Sequence, residues 1–219
     1  MKADFDRAAT LAMEMLIANE ITETPIDSFS LLLKYPGVRV VSFTHFATQA
    51  GIDRHDLIPL FGKNQDAATF NLDMNIENVK YVVVYNMRLP YEIIHRGVAR
   101  ELGHIVLGHD GVTRPTEVRM QEALCFAHHL ISPRPVIQML REAVPLTMNV
   151  LTATVGCSDE CVDELRTIPG AHVPAELNRK VKEMFERGIN EYIRFYRAAQ
   201  KEDHTPLIDF GSYMDNYTE

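Results

Sequence analysis

Apolar residues return at helical spacing in the first segment, where Leu11, Met15, Leu16 and Ile17 predict a helix. Thr24-Pro25-Ile26-Asp27 opens a second helix, in which Leu31 to Leu33 turn inward and which Pro36-Gly37 ends. The period then changes. Val38 to Phe43 is rich in β-branched residues and reads as a strand, and Ala67 to Leu72 with Tyr81 to Tyr85 supplies two more around Asn75 to Asn78. Tyr81 to Tyr85 is apolar throughout, which places it centrally in its sheet. Beyond Asn86 to Pro90 the pattern turns helical again. It predicts one helix from Tyr91 to His109 closed by Gly111, and another from Thr116 to Ile131 ahead of Pro133 and Pro135. Two shorter helices follow around Gly156, then a long charged helix from Pro174 to Arg197. The order of elements predicts an α+β fold, with a small sheet and its helices in residues 1–135, a helical region in 136–200 and a flexible acidic tail in 201–219.

Composition narrows the function. Of 219 residues 46% are apolar, enough for a real core, while 22 basic residues against 30 acidic ones leave a net charge of −8. Such a surface repels a phosphate backbone, which argues against broad nucleic-acid coating. Three cysteines, Cys125, Cys157 and Cys161, are too few for a disulfide framework and point to the cytoplasm. Glu14 interrupts the apolar run from Ala8 to Ala18, no cleavage site follows it, and no window approaches the roughly 20 apolar residues of a membrane span.

The chemistry concentrates in Val98-Ala99-Arg100-Glu101-Leu102-Gly103-His104-Ile105-Val106-Leu107-Gly108-His109. On a helix Arg100, Glu101, His104 and Gly108 share a polar face, and Ile94, Val98, Leu102 and Ile105 centre on another. A zinc peptidase of the HExxH type sets two imidazoles four residues apart on one metal, with the Glu beside the first acting as general base on bound water. Glu101 and His104 fit that pattern, but Arg100 stands where the first His belongs.

This segment resembles the ImmA/IrrE family of zinc metallopeptidases. Tyr81 to Asn86 followed by Leu89-Pro90 is similar to the family's strand-loop entry. Glu122-Ala123-Leu124-Cys125-Phe126-Ala127-His128-His129-Leu130-Ile131-Ser132-Pro133 is similar to its second signature helix. The resemblance covers about the first 135 residues and implies a zincin-like peptidase domain in which Glu101 is the catalytic base and His104 and Glu122 are zinc ligands. It also implies a substrate class, a cytoplasmic DNA-binding repressor often belonging to a mobile element, and a role in transcription regulation.

Arg100 alters that expectation. At an effective dielectric of about 20, a unit charge and a divalent ion about 4 Å apart repel by roughly 8 kcal/mol, comparable to the ~10 to 16 kcal/mol that binds a structural zinc. The planar guanidinium can instead replace the ion by pairing with Glu122, Glu101 or both. No other residue restores the lost ligand from helical geometry. His95 lies nearly opposite His104, and His109 sits more than a third of a turn away, so both read as surface or packing histidines. Cys125 shares a face with Glu122 and is a further candidate ligand, with His129 on the same face, although a buried thiol and an ordinary helix histidine are the plainer reading. Two functions stay open, a zinc peptidase and a metal-free, non-catalytic relative that regulates by binding a protein partner.

Cys157 and Cys161 form a lone pair without a second pair nearby and read as packing residues. Gly156 to Leu165 has the outline of a helix-turn-helix, but its recognition face would carry Asp159, Glu160, Asp163 and Glu164. That face repels DNA and suits a protein contact.

Overall fold

The computed structural model describes residues 2–53, 65–76, 78–110, 115–156, 158 and 170–200. Cys157, Cys161, most of the helix-turn-helix-like segment, Gly111 and the tail lie outside the described residues. Eight helices and three strands are described, an α+β arrangement. Helix α1 (Phe5–Ala18) and α2 (Ser28–Lys34) come first, then β1 (Val38–Ser42), α3 (Phe43–Ala50), β2 (Ala67–Ile76) and β3 (Val79–Tyr85). The rest is helical: α4 (Tyr91–Val106), α5 (Thr116–Ile131), α6 (Arg134–Arg141), α7 (Met148–Val155) and α8 (Ala175–Gln200). No described helix is long and apolar enough to cross a membrane.

The strand order is β1-β3-β2, with β1 parallel and β2 antiparallel to β3, so the strand that carries the apolar run Tyr81 to Tyr85 is the central one. Its alternation explains the composition. Val83 faces the main core with Ala67 and Tyr81, while Val82 and Val84 face a smaller cluster with Val41 and Ala47. Helix α3 covers that second face, and Phe46 stacks on Phe70 with centroids 5.4 Å apart. The pattern extends the first strand to Phe43, but Ser42 accepts a hydrogen bond from His45 N–H at 3.2 Å and caps a helix that begins at Phe43.

In α1 the fully buried face is Ala8, Ala9, Ala12, Met13 and Leu16. Three of these five are alanines, and Leu11, Met15 and Ile17 flank the face half-buried. The small residues let α1 lie close against α5. In α2 Leu31 and Leu32 are buried as expected, but Leu33 is 62% exposed, because three consecutive helical residues span more than half the helix circumference. Helix α6 begins directly after Pro133, where proline costs nothing because first-turn N–H groups have no helical partner. Of the two short helices around Gly156, α7 is described and ends at Gly156 with φ +65°. Val181, Phe185, Ile189 and Ile193 of α8 join the same core as α1, α4 and α5.

Two glycines set how α4 packs. A Cβ at Gly103 would stand 3.0 Å from the carbonyl of Ala123 and 3.0 Å from the Phe126 ring, so its absence lets α5 approach and brings Glu122 up to the polar end of α4. A Cβ at Gly97 would stand 2.5 Å from Cγ of Asp66, so Gly97 leaves room for a carboxylate from the segment leading into β2. Gly97→Ala is therefore expected to lower stability by about 3 kcal/mol, the upper end of overpacking costs, measured by urea denaturation.

Candidate functional site

Arg100 and Glu101 leave the same turn of α4 toward β2. The Arg100 fork donates to both oxygens of Asp66, from Nη2 to Oδ1 at 2.8 Å and from Nη1 to Oδ2 at 3.2 Å. Its Nη2 also donates to Glu101 Oε1 at 2.8 Å and to the carbonyl of Ala67 at 3.1 Å, and Nε reaches Glu101 Oε1 at 3.2 Å. The other Glu101 oxygen accepts from the Thr69 hydroxyl at 2.7 Å. Burial opposes charge on the guanidinium, but Glu101 and Asp66 outweigh it and hold the pKa above its ordinary value. Burial also pushes the Glu101 carboxyl up, opposed by Arg100 and Thr69.

Arg100 thus pairs with Glu101 and with Asp66, and the hydrogen bonds of Glu122 go elsewhere. Glu122 Oε1 accepts from the backbone N–H of Asp4 at 2.8 Å, and Oε2 lies 3.0 Å from Nε2 of His109. The other nitrogen of His109, Nδ1, is 3.0 Å from Nδ1 of His104. Glu122, His109 and His104 therefore form one hydrogen-bonded row, with Glu122 fully buried and His109 only 7% exposed.

The position of His109 corrects the expectation from helical geometry. Helix α4 ends at Val106, before His109, and Gly108 takes φ +70°. Gly108 N–H then donates to the Ile105 carbonyl at 3.1 Å and His109 N–H to the His104 carbonyl at 2.9 Å, the double bond pattern of a left-handed glycine cap. In that cap the residue after the glycine folds back over the one four positions before the glycine, and apolar side chains commonly meet there. Here two imidazoles meet instead. Gly108→Ala, forced into a left-handed conformation, should lower stability by about 1 to 2 kcal/mol, readable by thermal denaturation.

The remaining candidates lie apart from this row. His95 is buried against α2, where Nε2 contacts Ser28 N–H and the Ile26 carbonyl. Cys125 is buried with the Phe5 carbonyl 3.6 Å and His129 3.7 Å from its sulfur, and burial pushes its thiol up to about 12. His129 sits 2.9 Å from the Cys125 carbonyl.

A cavity of about 310 Å³ opens beside the row, with Thr69, Tyr81, Glu101, His104 and Arg119 on its wall. Tyr81 donates to Asp110 at 2.8 Å, and Lys80 pairs with the same oxygen at 2.9 Å. Arg119 donates to the His109 carbonyl at 3.0 Å and bolsters the cap. Burial, followed by His109, Arg100 and Arg119, lowers the His104 pKa to about 3, so its ring is neutral.

This arrangement does not fit the zinc site that the resemblance implies. Arg100 has no lone pair to offer and carries a fixed positive charge. The His109 ring hydrogen-bonds to both His104 and Glu122 and so holds the two residues that would share the ion. Among the described residues no three His, Cys, Asp or Glu side chains converge in a geometry that could hold a metal. Two members of the site, Asp66 and His109, were not expected from the sequence. Comparisons with protein-family models, with curated proteins and with solved structures find no match to this chain.

Proposed function

We propose that this chain is a zincin-like relative of the ImmA/IrrE metallopeptidases that acts by binding a protein partner in its cleft and not by hydrolysis. One observation carries the reading: the Arg100 guanidinium is bound to the would-be base Glu101 and to Asp66, at 2.8 Å in each case. Both Glu101 oxygens are taken, Oε1 by Arg100 and Oε2 by the Thr69 hydroxyl, so neither faces a water from which to draw a proton. The family resemblance supplies the partner class, a DNA-binding repressor in the cytoplasm, and the cysteine usage is consistent with that compartment. A basic repressor would be drawn to a chain of net charge −8.

A second reading, hydrolysis of that repressor with Glu101 as base and His104 and Glu122 on zinc, is favoured by the placement of Glu101 and His104 on a common cavity wall. It requires Arg100 to let go of Glu101. Metal analysis of protein purified without chelator or a metal-charged column separates the two. The wild-type chain is expected to hold no zinc, whereas Arg100→His, with imidazoles four residues apart, should take up about one ion per chain. A wild-type chain with one zinc per molecule would overturn the proposal in favour of the peptidase.

A further inference from the structure

The positive charges around the cavity are unequally matched. Arg100 faces two carboxylates, and Lys80 has Asp110. Arg119 has none among the described residues: Nη1 goes to the His109 carbonyl, Nη2 reaches the Thr116 hydroxyl at 3.4 Å, and Nε is buried without a partner. Each Nη carries two protons, so one on each is left over in a side chain that lines the cavity.

The neighbouring row turns a second polar group toward the same space. Nδ1 of His104 is engaged with Nδ1 of His109, whose Nε2 faces Glu122. Nε2 of His104 has no partner among the described residues, and the ring lines the same cavity. Cavity, unmatched cation and imidazole edge stand side by side.

We propose that this cavity binds the carboxylate side chain of one Asp or Glu residue in a peptide segment of the partner, held by Arg119, with a polar group of that segment hydrogen-bonded to Nε2 of His104. The inference rests on the reading that the cleft binds a protein. At about 310 Å³ the space lies at the lower end of ligand pockets, so it takes one side chain with its flanking backbone. The two carboxylates on the wall, Glu101 and Asp110, would repel the incoming one, but each is already matched, by Arg100 and by Lys80 with Tyr81. Arg119 supplies what those pairs do not, a cation with no carboxylate partner among the described residues and with parallel donors suited to one.

The test uses the full chain and two capped tripeptides, acetyl-Ala-Glu-Ala-amide and its Gln counterpart, followed by NMR of arginine side-chain N–H and histidine ring signals. Saturable shifts at Arg119 and His104 are expected with the Glu peptide, and binding of the Gln peptide about ten-fold weaker or less. Arg119→Gln should abolish the preference and Arg119→Lys keep part of it. The peptide comparison needs no variant, so it decides the matter even if Arg119→Gln fails to fold. Equal binding of the two peptides, or no saturable shift up to about 10 mM, overturns the proposal. So does binding that disappears with EDTA, which would put the carboxylate on a metal. Metal content is read separately, so a wild-type chain holding zinc would count against the proposed function, and absent peptide binding against the Arg119 site alone.

Discussion

Arg100→Met lowers the unfolding free energy by about 3 to 5 kcal/mol, because it strands two buried carboxylates. The Asp66 and Glu101 side chains are each 7% exposed and the Arg100 side chain 13%, so water cannot replace the guanidinium. Arg100→Lys recovers only part of the loss. An ammonium is a point charge and cannot span both oxygens of Asp66, Glu101 and the Ala67 carbonyl at once. Adding Asp66→Asn and Glu101→Gln to Arg100→Met should restore most of the stability, since the penalty comes from uncompensated charge more than from lost attraction. Urea denaturation of the four proteins checks the series. A loss below about 1 kcal/mol for Arg100→Met would mean that the pair behaves like an exposed surface bridge.

Acid weakens the fold through its buried imidazoles. Burial first, then His128 and Arg134, lowers the pKa of His129 to about 4 despite the favourable Cys125 carbonyl, and His104 lies at about 3. In the unfolded chain both titrate near 6.5. Between these limits the unfolded state binds more protons than the folded one, so the stability of the neutral rings is fully present above about pH 6.5 and declines as pH falls toward 4 and 3. At pH 5 each ring costs about 2 kcal/mol relative to pH 7. His95, lowered mainly by burial, adds in the same direction. Denaturation midpoints at pH 7 and pH 5 should differ accordingly, and His129→Gln should flatten the dependence. A midpoint independent of pH across this window would show that these rings are hydrated in the folded state.

Periodicity carried much of the architecture. The wholly apolar run Tyr81 to Tyr85 marked the central strand because both of its faces are covered, and the caps and prolines marked α4, α5 and α8 to within a few residues. Helix α3 escaped because Val38 to Phe43 is rich in β-branched residues and ends on an aromatic one, and only the side chain of Ser42 decides where extension stops. That Arg100 pairs with a carboxylate was legible from the shared helix face and from the cost of an unmatched charge, but of the two partners the sequence offers it takes Glu101 and not Glu122. Asp66 was not legible, since it comes from an irregular segment before β2 and meets Arg100 only through tertiary packing. Gly97 was a faint sign of that approach. His109 was legible in principle: a glycine followed by histidine, with another histidine four before the glycine, is the signature of the cap that joins them. Extending an ideal helix past Gly108 hid it.

The hydrogen bond from the Asp4 backbone to Glu122 joins positions 118 apart in the chain. Its donor is a peptide nitrogen, so it is invisible to alanine scanning: every replacement at position 4 except proline keeps it. Glu122 is thus sensitive to the path of the chain just ahead of α1 and almost indifferent to which side chains decorate it. A fusion or trimming that shifts this short stretch by an ångström would alter the carboxylate, then His109, then His104, without changing a single residue near the cavity.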